Sequence, residues 1–132
     1  MQQSMERTLE PGDKVLVVPG VTPKRSDIVV FNPPNAWVQG GPQTAFIKRV
    51  NGVPGETVEV KDGGVYVDRT KLVEPYVYDQ QPTSTVGETA RWVIPDGQLF
   101  VVGDHREASA DSRAFGPIPI ADVLGVVTQR CP

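Results

Sequence analysis

Glycine and proline divide this chain into short apolar segments. Its 132 residues include 13 glycines and 13 prolines, about a fifth of the chain, against about an eighth in an average protein. The apolar runs between them are four or five residues long, such as Val15–Val18 and Leu99–Gly103. Glycine and proline interrupt helices, whereas short β-branched clusters bounded by turn residues are typical of strands. The pattern therefore predicts a compact, mainly antiparallel β domain with little helix.

Turn residues separate the predicted strands. We place these strands at Lys14–Val18, Asp27–Phe31, Ala45–Asn51, Thr57–Lys61, Gly64–Val67, Arg91–Ile94, Gln98–Val102 and Val123–Gln129. The triplets Asp62-Gly63-Gly64 and Pro95-Asp96-Gly97 are typical of tight turns between paired strands. We expect a Pro/Gly loop at Asn32–Pro42, a mobile polar loop at Asp79–Ala90 and one helical turn near Ile120–Leu124.

The chain length, the net charge and the scarcity of metal-ligating cysteine and histidine argue against several classes of protein. A chain of this length is the size of one domain. The net charge of −3 and the pI near 5.1 provide no basic field, so we expect no nucleic-acid partner. The single cysteine, Cys131, and the single histidine, His105, argue against a Cys-rich zinc site, and we expect no metal or cofactor. A membrane helix needs about 20 apolar residues, and no run here approaches that length.

The segment from Ser4 to Asp13 contains a serine close to the start of the chain. One interpretation is a frayed terminus, which Met5 and Leu9 would anchor only if they pack inward. The other is a nucleophile, because a serine hydroxyl becomes reactive when a base lies beside it. The segment alone leaves both interpretations open.

A second candidate is Lys48, within the strand predicted over Ala45–Asn51. Residues two apart in a strand share a face, so Lys48 lies between Phe46 and Val50. If that face is the inner one, loss of water lowers the pKa of the amine and makes it a competent general base. The alternative is an edge-strand lysine whose stem covers apolar surface while its head reaches water.

The third candidate is the loop Gly103–Pro117, which combines acids, arginines, serines and the histidine. Such density after a buried strand favours a loop held by Asp–Arg pairs and serine hydrogen bonds, although a solvated loop is the plainer alternative. A Ser4–His105 triad with Asp104 or Asp111 is chemically feasible. We do not favour it, because neighbouring residues in an extended segment point apart and Asp104 would not orient His105.

Taken in order, these segments resemble the bacterial type I signal peptidase family. The resemblance runs from Ser4 to about Val127, and five boxes occur in the right order. They are Ser4-Met5-x-x-Thr8-Leu9, Gly12-Asp13-x-Val15, Asp27-Ile28-Val29-Val30-Phe31, Phe46-Ile47-Lys48-Arg49-Val50-x-Gly52-x-Pro54-Gly55 and Gly103-Asp104-x-Arg106-x-x-Ser109-x-Asp111-Ser112-Arg113-x-Phe115-Gly116.

The resemblance implies a serine endopeptidase that cuts signal peptides from exported preproteins after small residues, in an Ala-x-Ala-like pattern. It makes Ser4 the nucleophile, Lys48 the general base and Ser109 the hydroxyl that orients the lysine amine. It implies no cofactor. The implied supporting shell consists of Asp104, Arg49, Asp111, Ser112 and Arg113. We expect substrate to add as a strand beside Gln43, Thr44, Ala45 and Phe46 and beside the segment around Ser4.

The chain also departs from the family pattern. In the family, the second oxyanion donor is commonly a Ser or Thr two residues before the nucleophile, where this chain has Gln2. Arg7 replaces a frequent proline, and His105 replaces the usual asparagine.

The resemblance also predicts domain organisation and location. The family's membrane helix closely precedes the nucleophile, so we expect a soluble fragment of a protein anchored in the cell membrane with its catalytic domain on the extracytoplasmic side. We expect residues 1–132 to form a single peptidase catalytic domain with a short hairpin extension at about residues 62–92. The full-length protein would therefore contact the membrane surface.

Two other functions remain open at this level. A related Ser–Lys peptidase domain would cut its own chain at a fixed site. A non-catalytic β binding domain would retain the boxes without the chemistry. Cleavage products and the separation of Ser4 from Lys48 distinguish these alternatives.

Overall fold

The computed structural model describes residues 4–6, 8–10, 12–38 and 44–131. Its strands are β1 (Lys14–Val18), β2 (Ile28–Phe31), β3 (Phe46–Gly52), β4 (Thr57–Lys61), β5 (Gly64–Val67), β6 (Thr70–Lys71), β7 (Arg91–Val93), β8 (Gln98–Val102), β9 (Ile118–Pro119) and β10 (Val123–Cys131). Two short helices, α1 (Asn35–Val38) and α2 (Ser112–Phe115), and three 3-10 turns (Tyr78–Gln80, Arg106–Ala108 and Ile120–Asp122) connect them.

The strands form two antiparallel sheets. The larger sheet has the order β1-β10-β2-β3-β8-β9, and the smaller has the order β6-β5-β4-β7. The predicted fold class, mainly β with little helix, is confirmed. Within the described ranges, no helix is long or apolar enough to cross a membrane.

Strand β8 joins the two hydrophobic clusters. Leu99 and Val101 pack into a cluster with β2 and β3, whereas Phe100 and Val102 pack into a second cluster with β4 and β5. Successive strand residues point to opposite faces, so a continuous apolar run serves a strand that is buried on both sides. This strand ends directly before Gly103, and therefore a rigid element positions the polar loop that follows.

Two predicted loops contain more structure than their composition indicates. Helix α1 lies within the expected loop Asn32–Pro42 and buries Trp37 against Phe31 and Phe46. In the polar segment Asp79–Ala90, Thr83 is buried and its backbone N–H donates to the Gly63 carbonyl at 2.9 Å. The burial of Trp37 orders the first segment and the burial of Thr83 orders the second. The composition of each segment does not predict these contacts.

Candidate active site

The serine and lysine candidates meet inside the protein. Lys48 Nζ donates a hydrogen bond to Ser4 Oγ at 2.7 Å, and both residues are buried. Ser4 belongs to a turn in which Leu9 N–H donates to the Met5 carbonyl at 2.8 Å. Met5 and Leu9 are both buried, so this part of the chain is anchored rather than frayed.

Strand β3 determines where Lys48 points. Phe46 and Val50 lie on the same face of the strand and both belong to the hydrophobic cluster under the larger sheet. Lys48 lies between them and has no exposed surface, so this face is the inner one and the lysine head does not reach water as the edge-strand alternative required. Burial lowers the pKa of Lys48 from 10.5 to about 8, Asp111 acts in the opposite direction, and Arg113 lowers it further. A substantial fraction of the amine is therefore neutral near pH 8 and able to accept a proton.

Because the pKa of Lys48 is lowered in the folded protein, the free energy of unfolding should change with pH in the alkaline range. Between pH 8 and 10.5 the unfolded chain holds a proton on Lys48 that the folded chain has released. Stability therefore rises with pH in that window, because it rises wherever the unfolded state binds more protons. At about 1.4 kcal/mol per pKa unit, we expect wild type to gain about 3 kcal/mol relative to Lys48→Met. Urea denaturation at both ends of the window measures this, and equal pH slopes in the two proteins would contradict it.

Arg49, the next residue on β3, holds the loop that follows β8. Its guanidinium donates to both carboxylate oxygens of Asp104, at 2.9 and 2.7 Å, and Asp104 is fully buried. Thr8 Oγ1 also donates to Asp104, so one carboxylate joins β3, the loop and the serine-bearing turn. Paired bonds from arginine to a carboxylate have a well-defined geometry, which fixes their relative position.

A second buried ion pair stabilises the same loop. Arg113 donates from Nε and Nη2 to Asp111, both at 2.9 Å, and the Gly103 N–H donates to the same carboxylate at 3.1 Å. Burial alone would raise the pKa of Asp111, but the hydrogen bonds and the charge of Arg113 hold it below its ordinary value. Ser112 Oγ accepts from the Val101 N–H at 2.9 Å and ties α2 to β8.

Ser109 lies beside the site but does not hydrogen-bond Lys48. Its hydroxyl donates to Asp111 at 2.6 Å. A Cβ at Gly103 would lie 2.6 Å from the Ser4 carbonyl oxygen and would also collide with Ser109 Oγ, so only glycine allows this close approach. The Ser109 hydroxyl therefore contacts Asp111, whose charge acts on the lysine amine.

The residues expected to bind substrate are only partly described. Of these residues, Gln43 lies outside the described residues. Gln2 and Arg7, where the sequence departs from the family pattern, also lie outside them. Thr44 is exposed, Ala45 is half-buried and Phe46 is buried. Among the described strands, the part of β3 from Phe46 to Lys48 pairs with β2 on one side, while pairing with β8 begins only at Arg49. Within the described ranges, this part of β3 therefore has one backbone edge, beside Lys48, that no strand pairs with.

The geometry does not support a Ser–His–Asp triad. The Asp104 carboxylate faces Arg49, and the Asp111 carboxylate faces Arg113. His105 Nδ1 lies 3.0 Å from Glu6 Oε1 instead. Within the described part of the chain, no group of three metal-ligating side chains comes together.

Sequence reasoning missed a carboxylate that joins three segments behind the site. Glu74 accepts from both terminal nitrogens of Arg106, at 3.1 and 2.7 Å, from Asn51 Nδ2 at 3.0 Å and from the Tyr76 hydroxyl at 2.9 Å. Burial, together with Glu74, raises the pKa of Tyr76, whose ring lies 3.8 Å from the Arg49 guanidinium carbon. Glu74 stands in an irregular segment with no motif around it, so no local signal marks it.

Comparison with known proteins identifies relatives over nearly the whole chain. The family profile described as "Signal peptidase, peptidase S26" matches residues 1–131. The probable signal peptidase I-1 of Synechocystis sp. is 44% identical over 129 residues, which cover 92% of this chain and 63% of that protein. The signal peptidase I of Leptolyngbya laminosa is 38% identical over 135 residues, which cover 97% of this chain and 64% of that protein. The chain thus spans just under two thirds of the length of these relatives.

A solved structure has the same fold. The crystal structure of a signal peptidase I from Enterococcus faecalis V583 superimposes with a TM-score of 0.64 at 33% sequence identity. The match covers 82% of this chain and 98% of that chain.

Proposed function

Because the chain belongs to the signal peptidase family, peptidase S26, we propose that it is a serine endopeptidase that removes signal peptides from exported preproteins. It cuts after small residues in an Ala-x-Ala-like pattern, in a protein that acts at a cell membrane with this domain on the extracytoplasmic side. The observation that carries the proposal is the contact between the buried Ser4 hydroxyl and the buried Lys48 amine.

The proposed reaction is acyl transfer through Ser4. Neutral Lys48 accepts the hydroxyl proton while Ser4 Oγ attacks the scissile carbonyl, and the resulting ammonium then donates that proton to the leaving amine. The amine departs with the C-terminal product, and the N-terminal product stays as an ester on Ser4. Lys48 next accepts a proton from water, whose oxygen attacks the ester. The N-terminal product leaves as a carboxylic acid that ionises in solvent, and the proton on Lys48 returns to Ser4 Oγ. The contact of 2.7 Å supports direct proton transfer between Ser4 Oγ and Lys48 Nζ.

The buried ion pairs would support this chemistry in two ways. Asp111 and Arg113 have opposing effects on the pKa of Lys48, so together they moderate the effect of burial. Asp104, held by Arg49, contacts the turn that carries the nucleophile. We therefore assign these four residues positioning and electrostatic roles, and Lys48 and Ser4 the catalytic ones.

Substrate would bind as an added strand. The unpaired edge of β3 beside Phe46 offers backbone hydrogen bonds to an extended peptide, and alternate side chains of that peptide would point toward the site. Addition along this edge brings a scissile carbonyl near Ser4, because Lys48 lies on the same strand.

Cleavage of matched peptides tests the function. We expect an extended peptide with alanine at the first and third positions before the scissile bond to be cut at that bond. A peptide with leucine at those positions should be cut about 100-fold more slowly, since a difference in side-chain size at an apolar pocket is worth about 1–3 kcal/mol. Mass spectrometry after rapid acid quench should show the N-terminal product attached to Ser4. Cleavage of the chain itself instead of the peptide would favour a self-cleaving domain, and absence of both reactions would favour a binding domain.

A further inference from the structure

The turn that carries Ser4 is docked on two consecutive residues of the opposite loop. We call residues 4–6 and 8–9 the Ser4 turn. His105 N–H donates to the Ser4 carbonyl at 2.8 Å, and Asp104 N–H points to Met5 Sδ at 3.4 Å. Side chains add two more contacts, from Thr8 to Asp104 and between His105 Nδ1 and Glu6 Oε1 at 3.0 Å. The position of the nucleophile thus depends on Asp104 and His105.

The His105 ring is itself held from its other side. It stacks on Tyr78 with ring centroids 4.0 Å apart and an interplanar angle of 21°. The Tyr78 N–H donates to the Asp104 carbonyl at 2.9 Å, so the 3-10 turn Tyr78–Gln80 holds both the backbone and the ring of this dock. An imidazole fixed by stacking presents its Nδ1 in one direction, toward Glu6.

We propose that His105 is a positioning residue, whose imidazole holds Glu6 and thereby keeps the Ser4 turn at hydrogen-bonding distance from Lys48. This inference rests on the proposed function. The side chains of His105 and Glu6 are 16% and 23% exposed, so water competes only partly for their contact.

His105 contacts the Ser4 turn both through its backbone N–H and through its ring nitrogen, so a substitution can remove the ring contact alone. Substitution of His105 leaves its N–H bond to Ser4 in place, so the turn remains docked at one end. Loss of the ring nitrogen frees Glu6 and allows Ser4 Oγ to move relative to Lys48. The contact between the His105 ring and Glu6 involves no residue of β3, along which substrate would bind, so we expect the effect to fall on kcat and to leave KM nearly unchanged.

A double-mutant cycle tests the proposal. The variants are His105→Phe, which keeps a ring to stack on Tyr78, Glu6→Gln, and the double variant. Glu107→Gln is the matched control, because it removes one carboxylate from the exposed surface of the same loop. We expect each single variant to lower kcat about 10-fold with KM within about 2-fold, and the double variant to be no slower than either single variant. Glu107→Gln should retain wild-type kcat.

Other results would overturn the proposal. Additive losses, near 100-fold in the double variant, would show that His105 and Glu6 act independently. A rise in KM equal to the loss in kcat/KM would assign them to substrate binding. If wild type is acylated on Ser4 and His105→Phe cleaves the peptide as fast as wild type, the inference is refuted and the proposed function stands.

Hydrogen exchange tests the same contact without catalysis. The Leu9 N–H bond to Met5 closes the Ser4 turn. In His105→Phe we expect this amide to exchange about 10-fold faster, with amides of β4 and β5 unchanged. Unchanged exchange at Leu9 in His105→Phe would refute the inference. If exchange is faster in this variant but wild type is never acylated on Ser4, only the proposed function is rejected.

Discussion

Lys48→Met is expected to reduce kcat/KM for an Ala-x-Ala peptide by on the order of 1000-fold, because general base catalysis contributes about 100- to 10,000-fold. Methionine has a similar length and no amine, and it fills the same buried space. Folding should not suffer near pH 7, since burying an ammonium costs free energy that a thioether does not. Ser4→Ala should cause at least as large a loss, because Ser4 would carry the acyl group.

The pH dependence connects this loss to the amine. In wild type, kcat/KM should rise with pH and level off above about 8, where Lys48 is neutral. The residual activity of Lys48→Met should lack this rise. Lys61→Met removes an exposed lysine from β4 and should retain both the activity and the profile. Substantial cleavage by Lys48→Met, with folding unchanged by circular dichroism, would disprove the Ser–Lys mechanism.

Arg113→Met is expected to lower the free energy of unfolding by about 3–5 kcal/mol, since it leaves a buried carboxylate without its partner. Asp111 is fully buried and would keep only Ser109 and backbone N–H groups as donors. That loss is a large part of the 5–15 kcal/mol that typically stabilises a domain. Urea denaturation near neutral pH measures it.

Two controls identify the cause of this loss. Arg25→Met breaks a partly exposed ion pair with Glu56 and should cost only about 1 kcal/mol or less. The double variant Arg113→Met/Asp111→Leu should regain most of the lost stability, because it removes the unpaired charge. A loss in Arg113→Met no larger than that in Arg25→Met would contradict the prediction.

The same variant changes how stability depends on acid. The pKa of Asp111 in the folded protein lies below its ordinary 3.8. The stability contributed by this carboxylate is therefore complete above about pH 4 and is lost as the pH falls through the lower folded value. In Arg113→Met this loss on acidification should shrink. The activity profile should move to higher pH, because Arg113 lowers the pKa of Lys48.

Period-two alternation explains why so much of the framework was predictable. The bounds of β1, β4, β5 and β8 match the predicted strands, because each is a short apolar or alternating run between turn residues. The two-residue strands Thr70–Lys71 and Ile118–Pro119 were missed, since each depends on a partner rather than on its own composition. Helix α1 was missed for a similar reason, since its stability depends on the burial of Trp37.

The site was predictable only to the extent that its residues carry a local signal. Alternation placed Lys48 on the face of Phe46 and Val50, and the boxes that resemble the signal peptidase family predicted Ser4 as the nucleophile. Glu74 carries no such signal, although it joins Arg106, Asn51 and Tyr76. Ser109 shows the converse, because the resemblance predicted that its hydroxyl orients the lysine amine, whereas in the structure this hydroxyl bonds to Asp111.

The amino-acid sequence by itself determined the β architecture, the face of Lys48 and the order of the candidate segments, because these follow from residue type and from contacts between near neighbours. Only the tertiary structure decided that Ser4 and Lys48, 44 positions apart, lie 2.7 Å from each other, and that Asp104 reaches Arg49 across 55 positions. Distances between remote segments depend on how the whole chain packs, and the lowered pKa of Lys48 depends on the burial that this packing creates.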